Sequence, residues 1–229
     1  MSDIDALRSA VRAIERPRAR FAYPLSFGCP QADDVLGKTL VSGRVHELGG
    51  TAATLFATLV LARCEGSVLW CAQDGLASAL YPPGLAQAGL DPRRVVLARM
   101  SRADDLLHAA HEGLRAGWHM VLETMRGVDL GTGRRLQLAA ETGGGLGLVV
   151  AMDHVADVPL LPSATTRWHA ALAGGSLWPA PVDLHLHLTR NRNGLPGRWT
   201  MEWDYASRSF SLVPTSGDRQ GDTPRRIPA

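Results

Sequence analysis

Apolar residues near the start of the chain recur at helical spacing. Ile4, Leu7, Val11 and Ile14 fall on one face, with Asp3 and Asp5 at the favourable amino end and Pro17 just beyond. This predicts one amphipathic helix, with Leu7, Val11 and Ile14 as a face for its own domain or a partner. Residues 16–24 read as a linker. From Val45 the period switches repeatedly between strand and helix. Short apolar strands are predicted at Val45–Leu48, Ser67–Ala72, Val95–Ala98, His119–Glu123 and Leu146–Met152. Between them lie helices over Ala52–Arg63, a short segment ending near Gly89, Ser101–Ala116 and Leu130–Thr142. Ser101 with Asp104 three residues on comes close to a capping box.

Strands alternating with helices imply a parallel, doubly wound α/β sheet. After Asp153 the helices stop. Arg167–Leu172, Val182–Thr189, Arg198–Asp204 and Ser209–Val213 are strand-like and joined by short turns. The predicted layout is a mostly parallel sheet flanked by helices, with antiparallel strands toward the C-terminus. Residues 1–24 form an N-terminal helix and linker, 25–214 one core domain, and 215–229 a polar tail rich in Gly and Pro that reads as disordered.

The densest chemical signal sits after the first predicted strand. Arg44-Val45-His46-Glu47-Leu48-Gly49-Gly50-Thr51-Ala52-Ala53-Thr54 reads as strand, glycine turn and helix start. That is the order of a phosphate-binding loop, and also of an ordinary strand-turn-helix in any α/β protein. A working loop needs a lysine after its second glycine to reach the terminal phosphates. The only lysine in the chain is Lys38, upstream of the strand.

Other clusters carry weaker chemistry. Gly143-Gly144-Gly145-Leu146-Gly147 follows a helix and precedes a strand, the reverse of a phosphate loop, so it reads as a helix stop. His46-Glu47 lacks the second histidine of a zinc-protease motif, because position 50 is glycine. Asp183, His185, His187 and Thr189 share one face of a strand and read as a half-solvated face. His108 and His111 share a helix surface. No serine elbow or Cys/His set supports covalent catalysis, and no metal is expected. Arg190-Asn191-Arg192-Asn193-Gly194, with Arg198 beyond, forms a basic tip between two strands. The favoured reading is a solvated hairpin tip with two core tryptophans; the alternative is that these arginines meet phosphates or an acidic partner, with Trp199 and Trp203 as stacking surfaces.

Composition narrows the class further. The chain has 229 residues, 45% apolar, enough for one sizeable core. Net charge is only +2 and neither requires nor excludes nucleic acid. The three cysteines, Cys29, Cys64 and Cys71, form no paired motif, and no apolar run reaches the ~18 residues of a membrane span. A cytoplasmic protein is expected.

In this order the pieces resemble the RecA fold and, more closely, the ImuA family of bacterial damage-induced mutagenesis cassettes. The matching words are Phe27-Gly28 with Leu36, Gly43-Arg44-Val45-His46-Glu47-Leu48, Leu80-Tyr81-Pro82-Pro83-Gly84-Leu85 and Gly89-Leu90-Asp91-Pro92. Further on come Arg134-Arg135-Leu136-Gln137-Leu138-Ala139-Ala140-Glu141, Pro162-Ser163-Ala164 before Arg167-Trp168, Leu188-Thr189-Arg190-Asn191-Arg192 and Trp203-Asp204. The resemblance covers most of residues 1–213. It implies a vestigial nucleotide site at Gly49, Gly50, Thr51, Thr54, Gln73 and Glu123. In it Gln73 stands where the catalytic glutamate would be, with Asp74 as the alternative base if the alignment shifts by one residue, and Glu123 ends the strand that would hold magnesium. An amide cannot take a proton as a carboxylate does. So no ATP binding, no cofactor and no hydrolysis are expected, and a weak ATPase with a degenerate loop is the enzymatic alternative. The resemblance implies contacts with a Y-family-polymerase-like protein, an error-prone replicative-type DNA polymerase and RecA. A division inhibitor of the SulA type is the other alternative. Arg167, Arg190, Arg192 and Arg198 are the candidates for DNA or partner contact.

Overall fold

A computed structural model describes residues 23–74, 80–124, 127–151, 160–173 and 180–213. The predicted N-terminal helix with Leu7, Val11 and Ile14, and the tail at 215–229, lie outside the described residues. Nine strands form one sheet: β1 Val45–Gly49, β2 Val68–Gln73, β3 Val95–Met100, β4 His119–Glu123, β5 Gly147–Ala151, β6 Thr166–Leu172, β7 Val182–Asn191, β8 Gly197–Asp204 and β9 Ser209–Leu212. Their order is β3-β2-β4-β5-β1-β6-β7-β8-β9. This order differs from those of the dinucleotide-binding and flavodoxin-like sheets.

The first six strands across the sheet are parallel, and β7, β8 and β9 complete it antiparallel. The antiparallel part thus begins one strand later than the change of pattern at Asp153 implies, because β6 runs parallel to β1. Burial explains why the parallel strands read as continuous apolar runs. Every residue of β1, β4 and β5 is buried, as expected for strands covered on both faces.

The helices are α1 Pro30–Ala32, α2 Ala53–Leu61, α3 Pro82–Gln87, α4 Ala103–Arg115 and α5 Leu130–Gly143. The first passes into a π-type turn, Asp33–Gly37, that the periodicity does not reveal. Asp33 fixes it by accepting from the Phe27 amide and the Ser26 hydroxyl. Arg102, not Ser101, is the N-cap of α4, and no side chain caps it, so the near-capping box is not used. Asp129 does cap α5, accepting from Gly131 and Thr132. Gly144, at φ +81°, closes α5 in the left-handed region, and the glycine cluster is a helix stop as read.

Two cores flank the sheet. One contains Phe27, Phe56, Trp70, Trp168, Trp203 and Phe210 and extends beneath β7, β8 and β9. The other lies under α4 and α5, with Val45, Cys71, Met120, Leu122, Leu136 and Val149. Trp203 is fully buried beneath the Arg63 guanidinium, and half-buried Trp199 packs on Trp168. Trp203 is therefore a core residue, whereas Trp199 packs on the core from one side and lines a surface groove with the other. Among the described residues no helix is long and apolar enough to cross a membrane.

Candidate functional site

The carboxyl ends of β1, β2 and β4 bring most of the vestigial-site residues to one edge of the sheet. Glu123, buried at the end of β4, is level with Val150, which is level with Leu48 of β1. Two strand spacings, about 10 Å, separate β4 from β1. Gln73 ends β2, one strand further out, and donates its side-chain amide to the Ser101 carbonyl at 3.1 Å. That bond ties β2 to the start of α4. Asp74, next to it, meets Arg99 at 3.6 Å.

The turn after β1 is closed. Only Gly50, Thr51 and Ala52 separate β1 from α2. Gly50 takes φ +95°, which favours glycine. A Cβ there would fall 2.4 Å from the Ala170 carbonyl oxygen and 2.9 Å from His169 Nε2. The Ala52 amide donates to that same Ala170 carbonyl at 3.0 Å. A phosphate loop works by aiming free amides at an anion from a helix N-terminus. Here the neighbouring strand takes one such amide, and the imidazole of His169 lies against the glycine. Thr54 sits elsewhere, lining a groove with Leu55, Thr58, Leu80, Tyr81 and Tyr205.

Buried polar bonds lock β1 to β6. Glu47, fully buried, accepts from Arg167 Nε at 2.8 Å and from the Leu161 amide at 2.9 Å. His46 Nε2 donates to the Val41 carbonyl at 3.1 Å, so Nδ1 accepts from the Thr166 hydroxyl at 2.7 Å. Trp168 Nε1 donates to the same hydroxyl at 3.0 Å. Desolvation lowers the His46 pKa to about 4, so the ring is neutral at pH 7. Beyond β6, His169, His185, His187, Arg198 and Thr200 line a groove of about 340 Å³ together with Ala171, Leu186 and Trp199. Among the described residues no group of three or more His, Cys, Asp or Glu could hold a metal ion.

The four candidate arginines do not share one surface. Arg167 is held by Glu47, with 14% of its side chain exposed. Arg198 stands level with His187 and lines the groove beside it. Arg190 and Arg192 lie at the amino edge of the sheet, opposite the closed turn. There the Thr165 amide donates to the Val45 carbonyl at 2.9 Å, and the Arg192 amide donates to the Thr165 carbonyl at 3.1 Å. These bonds bring Arg192 beside Arg44. Helix α5 joins them through Gln137, which accepts from the Val45 amide at 3.0 Å, and through Glu141, which pairs with Arg44. Arg134 lies on the same face of α5, one turn before Gln137. Arg44 and Arg134 are therefore part of the cluster, although residue spacing alone gives no sign of it. Partial desolvation of its otherwise exposed side chain and the charges of Arg190, Arg44 and Arg134 push the Arg192 pKa down, while Glu141 opposes them.

No family model matches the chain. Among curated proteins it is similar to Protein ImuA of Caulobacter vibrioides, in strains NA1000 / CB15N and ATCC 19089 / CIP 103742 / CB 15. Each match is 30% identical over 225 residues, covering 85% of this chain and 90% of the relative. At that identity and coverage, this chain belongs to the ImuA family.

Proposed function

We propose that the chain is a non-catalytic accessory protein of damage-induced translesion synthesis, built on a RecA-like scaffold and working in the cytoplasm. It acts through contacts with a Y-family-polymerase-like protein, an error-prone replicative-type DNA polymerase and RecA. The closed turn at Gly50 carries this reading. It is three residues long, has no lysine, and gives the Ala52 amide to Ala170. Phosphoryl-transfer catalysis depends on positioning and neutralising the phosphates. Gln73 at the end of β2 supplies no carboxylate for water activation. Membership of the ImuA family supports the mutagenesis setting. A parallel block continued by antiparallel strands supports the RecA-like scaffold. The segment with Leu7, Val11 and Ile14, expected from its spacing to be helical, and the C-terminal strands supply the partner surfaces.

Capture assays with the purified full chain test this reading. The immobilised partners are the two polymerases, RecA filaments on single-stranded DNA, and the tubulin-like division protein. Capture by a polymerase or by RecA, without nucleotide, is the expected result. Capture by the division protein alone would replace this reading with a SulA-type inhibitor.

A further inference from the structure

The amino edge of the sheet gathers positive charge that the fold does not neutralise. Arg44 is matched by Glu141, both side chains being less than one-fifth exposed. Among the described residues no carboxylate pairs with Arg134, Arg190 or Arg192. Arg190 Nη1 donates to the Pro162 carbonyl at 2.8 Å, which holds one edge of the guanidinium in place and brings no opposite charge to it. Arg134 and Arg192 are exposed. The backbone bonds from Val45 to Thr165 to Arg192 tie the hairpin tip to the start of β1, so Arg192 sits on an anchored segment rather than a free loop. At the same tip Leu195 is 81% exposed.

We propose that Arg134, Arg190 and Arg192, backed by the Arg44–Glu141 pair, bind the phosphodiester backbone of nucleic acid, with Leu195 as an apolar tip against the bases. Guanidinium groups form planar, forked contacts with phosphate oxygens. Clustered like charges cost free energy when empty and are relieved by a polyanion, whose released counterions add affinity. An apolar side chain set among arginines is a recurrent means of wedging against base steps. The assignment needs no protein partner, so it stands or falls separately from the proposed function.

The test is fluorescence anisotropy of labelled single-stranded and duplex oligonucleotides with the full chain, over a range of salt. Three phosphate contacts give a slope of log affinity against log salt of about −2 to −3. Arg134→Ala, Arg190→Ala and Arg192→Ala each weaken binding and reduce the slope by about 1. Leu195→Ala weakens binding and leaves the slope unchanged. Arg198→Ala, in the groove beside His187, changes neither. Circular dichroism confirms that each variant is folded. Absence of wild-type binding at 50 mM salt would overturn the proposal, as would a folded triple variant that binds like wild type. Polyglutamate that competes as well as DNA at equal charge would assign the surface to an acidic polypeptide and also overturn it.

Discussion

The two ends of β1 are built in opposite ways. At its carboxyl end the turn is sealed: Gly50 lies against Ala170 and His169, and the Ala52 amide bonds to the next strand. At its amino end Arg44 opens a cluster of guanidiniums, of which Arg44 alone has a carboxylate partner among the described residues. The carboxyl edge is where open α/β sheets ordinarily bind ligands. Here the turn after β1 at that edge is closed by the chain's own backbone, and among the described residues unneutralised charge has collected at the other edge. A fold's usual ligand edge therefore says little about where a particular member keeps its interaction chemistry.

The bonds between the two ends offer the strongest way to break this arrangement. Arg167→Met removes the guanidinium from which the fully buried Glu47 accepts. Breaking a buried pair from one side costs about 3–5 kcal/mol. Urea unfolding should show a loss of that size. A loss near zero would mean that Arg167 is a contact residue after all and that the pair does not hold β1 to β6.

Next in size is an acid effect. The folded pKa of His46 lies at about 4, below its unfolded value of about 6.5. The unfolded chain therefore binds the proton first as pH falls. Stability from neutral His46 is fully present above about pH 6.5 and is lost as pH drops toward 4, a total of about 3 kcal/mol. His119, also lowered by burial, acts in the same direction. His46→Asn should flatten the pH dependence of urea unfolding in this window, leaving the part due to His119. An unchanged slope would contradict the neutral, buried assignment.

The closed turn predicts a smaller loss. Gly50→Ala forces a side chain into positive φ and against the Ala170 carbonyl, at a cost of about 2–3 kcal/mol. Thermal unfolding would measure it, and a neutral substitution would show the turn to be open. Smallest of all is the effect of the arginine edge on folding. Arg192→Ala removes a charge repelled by its neighbours, and its stability should stay within about 0.5 kcal/mol of wild type. A large loss there would make the cluster a structural feature of the hairpin rather than an exposed contact surface.

Much of this framework is legible in the sequence, because periodicity and glycine placement are local signals. β4 runs from His119 to Glu123 as read, and α5 differs by one residue at its end. The missing lysine is equally plain. What cannot be read is what crosses the sheet. His169 and Ala170 reach Gly50 from more than a hundred residues away, and only the pairing of β6 with β1 brings them together. Arg134 comes within electrostatic reach of Arg192 for the same reason. Asp183, His185 and His187 are read as a half-solvated face, and the alternating burial of β7 agrees. The π-type turn at Asp33–Gly37 escapes because it is too short for a period to develop.

Nucleotide titration of the full chain is the most direct measurement of the central claim. Thermal unfolding with and without millimolar MgATP, alongside a phosphate-release assay, reads both binding and turnover. A closed turn without lysine predicts no shift in the unfolding midpoint and no release above the protein-free rate. Stabilisation of about 2–3 kcal/mol, as a ligand at a hundred times its Kd would give, would contradict it.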